Sequence, residues 1–313
     1  MENLQNLICP ICSSDIILKN KNFFCNSSQC KMSLSNFRLI NNKLIMVDFD
    51  KSVLCEKRFK MSKGKSNVVR TRKSNSIKKI IFKILNGSSI RTEKNLTYLS
   101  SKLKNRDSLN ILIVGGGTIG SGMDNFIKQH SKNITSFDVY ESEYVHLIAD
   151  AHSIPFKDSI FDLVIIQAVL EHVMYPHKVA DECYRVTNSN GYIYAETPFL
   201  QHVHEGAYDF TRFTLMGKKV LFEKFHEINS GYIGGLGRTL LWSIEYTFAG
   251  IFRSRLIGKI FKIIFFWIRF LDFIVPNKWN LDGACGVYYT GLKKDNLIKK
   301  HPIEIIKEYQ GAQ

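Results

Sequence analysis

A short apolar run that breaks into a glycine-rich turn constrains this chain more than any other feature. The run is Ile111–Val114, and the turn at residues 115–120 has three consecutive glycines followed by Thr, Ile and Gly. A second apolar run ends at Asp138. In α/β proteins this order of strand, glycine turn, helix, strand and acid holds a ribose, because glycine lets the backbone approach the ligand. The stretch therefore predicts an α/β fold with a pocket for a nucleoside-containing cofactor.

The following residues distinguish between two kinds of cofactor. The glycine spacing also fits the dinucleotide fingerprint of dehydrogenases, with Asp138 in the place of the ribose acid. However, Asp150 ends a third apolar run, and a buried-looking strand at residues 163–166 leads to Leu-Glu-His-Val at residues 170–173. A dehydrogenase leaves these last two features unexplained, so a different nucleoside cofactor is favoured.

Together these motifs resemble the class I S-adenosylmethionine-dependent methyltransferases, in the broad branch whose fourth strand ends in Leu-Glu-His-Val. The resemblance spans roughly residues 109–225. It implies a seven-stranded Rossmann-like sheet with helices on both faces. It also implies an enzyme that uses S-adenosyl-L-methionine to methylate an acceptor.

The resemblance further implies a role for each cofactor-binding position. The three glycines of the turn lie under the methionine moiety, and the acid after the second strand binds the ribose hydroxyls. The acid after the third strand accepts from the adenine amino group, with the next backbone N–H nearby, and the residue after the fourth strand faces the sulfonium. In this chain these positions are Gly115, Gly117, Gly120, Asp138, Asp150, Ala151 and Gln167.

One position departs from the family pattern. The family usually has an acidic residue two positions before the first glycine of the turn, and this chain has Ile113 there. The departure supports an alternative of a different class, which is a non-catalytic module that binds a cofactor or a membrane and organises partners.

Length and composition favour one catalytic domain with a small additional module. The chain has 313 residues, and its 45% hydrophobic content is sufficient for a sizeable core. We expect the following boundaries: a zinc ribbon at 1–50, a basic linker at 51–95, a methyltransferase domain at 96–300 with an amphipathic helical insertion at 234–280 before its last strand, and a tail at 301–313.

Four of the seven cysteines have a metal-binding pattern. Cys9, Cys12, Cys25 and Cys30 are separated by two, twelve and four residues. Two tight turns that each present thiolates can close a tetrahedron around Zn²⁺, and metal binding would then drive the folding of a segment too short for its own core. The residues at 37–47 read as the hairpin that zinc ribbons usually supply. The alternative is four unrelated buried thiols.

A strongly basic segment follows the predicted ribbon. Residues 57–83 contain eleven Lys or Arg and no Asp or Glu, and they contribute much of the formal net charge of +15. Such a segment predicts a flexible or loosely helical arm that attracts RNA, anionic lipid or a phosphorylated glycan carrier. The alternative is a solvated tether without a partner.

The loop after the fifth strand is the best candidate for an acceptor site. Ligands of open α/β sheets lie beyond the carboxyl ends of the strands, and this loop places several polar groups there. His204 or His202 could act as a base toward a hydroxyl acceptor, Asp209 could orient a histidine, and Arg212 could hold an anionic group. The alternative is an internal Asp209–Arg212 ion pair that only fixes the loop. We predict that His172 packs or orients a neighbour rather than catalyses.

The insertion before the last strand is rich in Phe, Ile, Leu and Trp. Basic residues interrupt it, and Arg255, Lys259 and Lys262 are spaced for one helical face. No uncharged run reaches the length of a membrane span. A pair of basic, aromatic-rich amphipathic helices is typical of segments that lie in the interface of an anionic leaflet. The alternatives are a helical cap over the active site or a dimer face.

These features predict a cytoplasmic methyltransferase, peripheral at the inner face of the cell membrane, that acts on a cell-envelope glycan or lipid-linked acceptor. The polar N-terminus has no basic and apolar secretory pattern. The expected partner is therefore an anionic membrane surface or a lipid-linked glycan. A zinc ribbon before such a domain also resembles bacterial ribosomal-RNA guanine methyltransferases, so methylation of ribosomal or transfer RNA is the second candidate.

Overall fold

The computed structural model of the chain describes residues 6–65, 89–106, 108–296 and 300–313. The N-terminal part contains two short hairpins and one helix. The first hairpin joins two antiparallel strands and ends at Cys25. The second hairpin follows Cys30, the last of the four predicted zinc ligands. These elements are β1 (Ile16–Lys19), β2 (Asn22–Cys25), β3 (Leu39–Ile40), β4 (Lys43–Met46) and α1 (Glu56–Met61).

The remaining strands form one large sheet together with the second hairpin. They are β5 (Ile111–Val114), β6 (Ile134–Asp138), β7 (Leu147–Ala149), β8 (Phe161–Gln167), β9 (Thr187–Pro198), β10 (His226–Gly234) and β11 (Gly286–Leu292). The nine-stranded order is β10-β11-β9-β8-β5-β6-β7-β4-β3. β4 to β9 pair in parallel within this order, whereas β11 is antiparallel to both of its neighbours. The seven strands from β5 onward confirm the predicted Rossmann-like methyltransferase sheet.

Helices cover both faces of the sheet, as predicted. They are α2 (Ile90–Leu103), α3 (Asp124–His130), α4 (Pro176–Val186) and α5 (Leu215–Leu221). Because successive side chains of a strand point to opposite faces, each central strand supplies two cores. Leu112 and Val164 pack with the α4 side chains in one core, whereas Ile111 and Leu163 pack with those of α2 in the other.

The second hairpin lies where the sequence did not predict it. We predicted it as part of the zinc ribbon, but β4 pairs in parallel with β7, so that Leu44 lies opposite Leu147. Its Met46 is completely buried in the main core. The apolar residues of β4 extend the exposed edge of the large sheet, which removes that edge from solvent. The hairpin therefore belongs structurally to the methyltransferase sheet.

Two further local expectations differ from the structure. The Asn-Ser-Asn-Gly sequence at residues 188–191 is typical of a turn, but these residues lie within β9, where a register irregularity against β8 and a left-handed Asn190 absorb the extra residues. The Leu-Glu-His-Val sequence after the fourth strand suggests the start of a helix, but Leu170–His172 form a single 3-10 turn and α4 begins at Pro176. Pro is favoured in the first helical turn, which explains the later start.

Part of the predicted linker is folded. Helix α1 contains Phe59, which is buried against Ile45, Val47 and Ile148. Backbone bonding continues to Gly64, whose carbonyl accepts from Glu141 N at 2.6 Å. The rest of the basic arm, from residue 66 to residue 83, lies outside the described residues.

The insertion is a group of helices between β10 and β11. They are α6 (Leu236–Ile251), α7 (Arg255–Ile264), α8 (Leu271–Ile274), α9 (Asn277–Asp282) and a 3-10 segment Phe266–Phe270. Gly258 lets α7 approach α6, because a Cβ there would lie 2.5 Å from Glu245 O. The rings of Phe248 and Phe261 stack at 3.6 Å. Across the described ranges, every helix is too short or too polar to cross a membrane.

Lys262 is a correction to the predicted basic face of the insertion. Its ammonium lies 2.6 Å from Glu245 Oε2, and the residue is only 8% exposed. Arg255 and Lys259 are exposed, as predicted. Lys262 therefore joins α7 to α6 instead of facing solvent, because the side of α7 that contains Gly258 and Lys262 packs inward.

Candidate functional site

A cavity of about 770 Å³ opens at the carboxyl ends of β5 to β9. This is the edge at which open α/β sheets bind their ligands. The cavity is lined by residues of the sheet edge, of the segment around α1, of the loop after β9 and of helices α6 and α7. Among the predicted site residues, those that line it are Gly115, Gly120, Asp138, Asp150, Ala151, Gln167, His202 and His204.

The glycine turn forms one wall of the cavity. Gly115 has a φ of +74°, and a Cβ there would lie 2.1 Å from Val169 Cγ2. At Gly120 a Cβ would lie 1.7 Å from Gln167 Oε1. Gly115 is required because its backbone is left-handed and closely approached, and at Gly120 a side chain would displace the Gln167 amide. The turn thus brings the β5 end directly against the β8 end.

Asp138 ends β6 with its carboxylate held toward the turn. One oxygen accepts from Gly117 N at 2.8 Å, and the other accepts from Val139 N at 2.7 Å. The residue is 7% exposed and lines the cavity. Backbone donors fix the carboxylate, and its remaining lone pairs can accept hydrogen bonds from two ribose hydroxyls.

Asp150 follows β7, and its carboxylate accepts hydrogen bonds from His152 and Ser52. Oδ1 accepts from His152 N at 2.9 Å and lies 2.6 Å from His152 Nδ1, while Oδ2 accepts from Ser52 Oγ. Burial alone would raise the pKa of Asp150, but these hydrogen bonds lower it overall. The carboxylate therefore stays ionised beside the cavity. Ser52 connects the segment before α1 to the predicted adenine end.

Gln167 and Glu196 meet at the ends of β8 and β9. Gln167 Nε2 donates to Glu196 Oε2 at 2.7 Å and to Ser121 O at 3.1 Å. Gln167 Oε1 is buried without a hydrogen-bond partner among the described residues, which marks a polar atom awaiting a ligand. The glycine turn, Asp138 and this orphaned oxygen together fit a bound S-adenosylmethionine.

Glu196 is a cavity-lining acid that the sequence analysis missed. It is 7% exposed, and burial raises the pKa of its carboxyl. Thr92 Oγ1 donates to it at 2.5 Å. Ile113, by contrast, is packed in the core of the sheet. Glu196 lies near the end of the apolar strand β9. No local sequence pattern marked it as a cavity residue, because the strand was recognised from its hydrophobicity alone.

The loop after β9 is fixed internally by the Asp209–Arg212 pair. Both terminal nitrogens of the Arg212 guanidinium, Nη1 and Nη2, donate to the Asp209 carboxylate, and the Nη2 bond is 2.6 Å long. The Arg212 hydrogen bond lowers the pKa of Asp209 to about 2. Arg212 Nε also donates to Gln201 O at 3.1 Å. The geometry is that of the ion-pair alternative, so a contact between Arg212 and an anionic substrate would require this pair to open.

Asp209 also contacts His204, the histidine that it is predicted to orient. It accepts from His204 N at 3.0 Å, and its Oδ2 lies 3.4 Å from His204 Nδ1. His202 stacks on Tyr246 of α6 at 4.2 Å, and its Nδ1 is buried without a partner among the described residues. The two histidines thus face the cavity from the loop. Their catalytic roles stay predictions.

Glu171 is the second buried acid that the sequence analysis missed. It is completely buried and lines the cavity. Burial raises the pKa of its carboxyl to about 7. His172 and His204 lie beside it, with their Nε2 atoms at 3.7 and 3.9 Å from its Oε1. His172, predicted to orient a neighbour, bonds through Nδ1 to Tyr208 O at 2.8 Å.

The four N-terminal cysteines converge. Their Sγ atoms all lie within 4.8 Å of one another, with Cys9 and Cys30 at 3.8 Å and Cys12 and Cys25 at 3.3 Å. Tetrahedral Zn²⁺ with bonds of about 2.3 Å requires sulfur separations of about 3.8 Å. The arrangement therefore fits a structural zinc ion, as predicted.

The zinc site also contacts the large domain. Leu7 and Phe37 share the main core with Phe156, and Ser153 Oγ donates to Pro10 O at 2.8 Å. Because structural zinc sites supply folding energy, loss of the metal would loosen this contact.

We predict that the protein retains one zinc ion per chain after dialysis against a mild chelator. Replacing Cys9→Ser together with Cys25→Ser should remove the zinc and lower the Tm, since two thiolate ligands are lost. Metal analysis and thermal melting measure both effects. Cys55→Ser, which changes an exposed cysteine outside the cluster, should retain the zinc. Unchanged zinc in the double variant would contradict the assignment.

The comparison with known proteins agrees with this geometry. Residues 115–195 match the model of a family described as a methyltransferase domain. This part of the chain is a methyltransferase domain. The match includes the glycine turn, Asp138, Asp150 and the Leu170–His172 turn, so the predicted assignment to the class I S-adenosylmethionine-dependent methyltransferases is confirmed. No curated protein matches the chain.

Solved structures that resemble the methyltransferase chain are distant. A putative sarcosine dimethylglycine methyltransferase from Galdieria sulphuraria has 14% identity and a TM-score of 0.43, covering 71% of this chain and 99% of its own. A SAM-dependent methyltransferase from Archaeoglobus fulgidus has 15% identity and a TM-score of 0.42, covering 69% and 99%. A Haemonchus contortus phosphoethanolamine N-methyltransferase with bound S-adenosylhomocysteine has 14% identity and a TM-score of 0.44, covering 74% and 62%.

Proposed function

We propose that this methyltransferase acts at a membrane surface on a lipid-linked or cell-envelope glycan acceptor. One observation carries the proposal. The same cavity that contains Asp138 and Asp150 extends to α6 and α7, and the opposite side of α7 exposes apolar side chains to solvent. The cofactor pocket and a membrane-compatible surface therefore lie on two sides of one pair of helices.

The cofactor end of the cavity is the sheet edge. Asp138 and Asp150 offer carboxylates for the ribose and the adenine amino group, and Gln167 offers an unpartnered oxygen. The family usually has an acidic residue at the position that Ile113 occupies in this chain. Here Glu196 provides a carboxylate at the same edge of the sheet. This neighbouring acid supports a functional cofactor site over a non-catalytic module.

The acceptor end is formed by the insertion and the loop after β9. Trp242, Tyr246 and Arg238 of α6 line the cavity opposite the glycine turn, together with His202 and His204. Tyr246 Oη donates to Val203 O at 2.7 Å, which ties the insertion to the loop. Aromatic walls with a few polar groups suit an acceptor that has both an apolar and a hydroxylated part.

Helix α7 has its apolar face outward. Leu256, Ile260, Ile263 and Ile264 recur at helical spacing on its exposed side, whereas Gly258 and Lys262 face α6. A surface helix of a soluble protein normally has the opposite arrangement. The exposed apolar side chains continue past the end of α7 and are here called the apolar patch: Ile251, Phe252, Leu256, Ile260, Ile263, Ile264, Trp267, Phe270, Phe273, Ile274 and Trp279.

Charge around the apolar patch favours an anionic membrane as its partner. Arg255 and Lys259 are exposed on α7 beside the apolar stripe, and Arg253 is exposed at its start. Basic residues that flank an apolar helical face are typical of helices bound at an anionic leaflet. RNA would use the basic residues but would have no use for the apolar patch, so the membrane is the favoured surface.

The chemistry at the site follows from positioning. When bound, S-adenosylmethionine supplies an electrophilic methyl group on its sulfonium. Trp242 and His204 both line the cavity and are candidates for contact with the acceptor. Orientation of the acceptor supplies much of the rate of an in-line displacement. His204, which contacts Asp209 and lines the cavity, is the candidate proton acceptor for a hydroxyl group.

Calorimetric titration with S-adenosylmethionine and with NAD tests the cofactor assignment. We expect binding of S-adenosylmethionine in the micromolar range, about −8 kcal/mol, and no comparable binding of NAD. The reason is that an acid after the third strand, here Asp150, is not part of the dinucleotide fingerprint, whereas it belongs to the methyltransferase pattern. Preferential binding of NAD would contradict the proposal.

A further inference from the structure

Glu171 stands out as a buried acid whose carboxylate is not satisfied. The residue has no exposed surface, and neither Oε1 nor Oε2 has a hydrogen-bond partner among the described residues. The two cations that act on it through space bond elsewhere: Arg212 to Asp209, and Lys218 to Thr197 Oγ1 and Val287 O. Burying a carboxylate without a hydrogen-bond partner is unfavourable. A ligand that completes this group is therefore expected.

Two histidines face the same carboxylate through their Nε2 atoms. His172 Nε2 lies 3.7 Å and His204 Nε2 lies 3.9 Å from Glu171 Oε1, and the three ligand atoms lie within 4.8 Å of one another. These distances are too long for hydrogen bonds. They are close to the separations of about 3 to 3.5 Å between ligands that each bind a metal at about 2.1 Å.

The Nδ1 atom of each histidine lies near an oxygen atom of the protein. His172 Nδ1 lies 2.8 Å from the carbonyl oxygen of Tyr208, and His204 Nδ1 lies 3.4 Å from Asp209 Oδ2. An imidazole that donates from Nδ1 to a carbonyl or carboxylate presents a lone pair at Nε2. This is how proteins orient histidine ligands of a metal ion. His172 shows this pattern, and at His204 the Asp209 carboxylate lies beside Nδ1 at an ion-pair distance of 3.4 Å.

We propose that Glu171, His172 and His204 bind a divalent first-row transition-metal ion at the acceptor end of the cavity. Two imidazoles and one carboxylate are a donor set that suits such ions and leaves coordination positions open. All three residues line the cavity, so the open positions face the acceptor. The site is separate from the four cysteines, which form the other cluster that could hold a metal among the described residues.

The role of the ion rests on the proposed function, whereas its binding does not. An acceptor hydroxyl that coordinates the ion would lose its proton to cavity water more readily, because the cation lowers the pKa of a bound oxygen. The oxygen–methyl bond then forms as the sulfur–methyl bond breaks, and the electron pair remains on sulfur. The site therefore favours an oxygen acceptor. In this account His204 is a metal ligand rather than the free base.

Cobalt titration tests the metal site without any need for activity. The protein is loaded with one equivalent of Zn²⁺ per chain, which the four thiolates bind in preference to the other site, and is then titrated with Co²⁺. We expect a visible d–d absorption band without thiolate charge transfer, at one equivalent per chain. Glu171→Gln, His172→Gln and His204→Ala should each weaken cobalt binding by at least about tenfold.

Matched controls separate this effect from unfolding. His177→Ala removes an exposed histidine outside the cluster and should leave the band unchanged. Thermal melting checks each variant, and His204→Ala removes a ligand that is 30% exposed, so its folding is the least at risk. Absence of the band in the unmodified protein up to about 1 mM Co²⁺, or an unchanged affinity in folded His204→Ala, would overturn the metal site. S-adenosylmethionine affinity, measured on the same samples, reports separately on the proposed function.

Discussion

Replacing two of the most exposed side chains of the apolar patch should remove most of the protein's affinity for membranes. Leu256 and Phe273 are 69% and 81% exposed, so the change Leu256→Ser plus Phe273→Ser removes little internal packing. Burying each such side chain contributes about 1.5 to 3 kcal/mol, and the pair should therefore change the affinity for vesicles by about a hundredfold or more. Sedimentation with vesicles of anionic phospholipid measures the effect.

Salt dependence identifies the two contributions to vesicle binding. Exposed Arg253, Arg255 and Lys259 should each add about 1 kcal/mol at low salt, and this part should weaken as salt rises. The apolar contribution is not screened, so the double variant should bind more weakly even at low salt. Leu18→Ser plus Leu34→Ser, which changes two exposed residues of the N-terminal part, is the matched control and should bind as the unmodified protein does. Equal vesicle binding by all three proteins would disprove the role of the patch.

Asp138→Ala should reduce the affinity for S-adenosylmethionine by about a hundredfold or more. The carboxylate is fixed by Gly117 N and Val139 N, and it is expected to accept hydrogen bonds from both ribose hydroxyls. Hydrogen bonds to a charged group contribute about 1.5 to 3 kcal/mol each, so the loss of two gives this magnitude. Titration calorimetry measures the affinity.

Two controls accompany the Asp138 measurement. Asp138→Asn keeps the shape of the side chain and should show an intermediate affinity. Asp181→Ala removes an exposed carboxylate that pairs with Lys224 on the surface, and it should leave the affinity unchanged. An Asp138→Ala variant that is folded and binds as tightly as the unmodified protein would contradict the assignment of the ribose site.

Local patterns in the sequence predicted the elements that form the cofactor edge. The strand at Ile111–Val114 has the predicted bounds, and the second strand ends at Asp138 as predicted. Their hydrophobic period and the flanking glycine are short-range signals. The four cysteines were equally readable, because thiolate spacing is constrained by the metal.

Long-range pairing was not readable in the same way. A hairpin pattern at residues 39–46 does not reveal which sheet edge it will join, and β4 joined β7. Nor did the sequence indicate that Ser52 would contact Asp150, or that Lys262 would pair with Glu245 across two helices. Such contacts depend on the three-dimensional arrangement of distant segments.

The contacts of the residues on the acceptor side of the cavity were also not predictable from the sequence. Glu171 lies in the Leu-Glu-His-Val motif, yet nothing in the motif predicts that its carboxylate is completely buried between two histidines. Arg212 looked available for an anionic substrate because its charge was visible in the sequence. Its bidentate pair with Asp209 became visible only in the folded loop.

Transfer of a labelled methyl group tests the central claim most directly. The purified protein is incubated with methyl-labelled S-adenosylmethionine and, in separate reactions, with total membranes or with total RNA from the source cells. We predict that label enters the solvent-extractable lipid or glycolipid fraction, that RNA stays unlabelled, and that Asp138→Ala abolishes the transfer. Label that enters RNA instead, or no Asp138-dependent label in any fraction, would contradict the account.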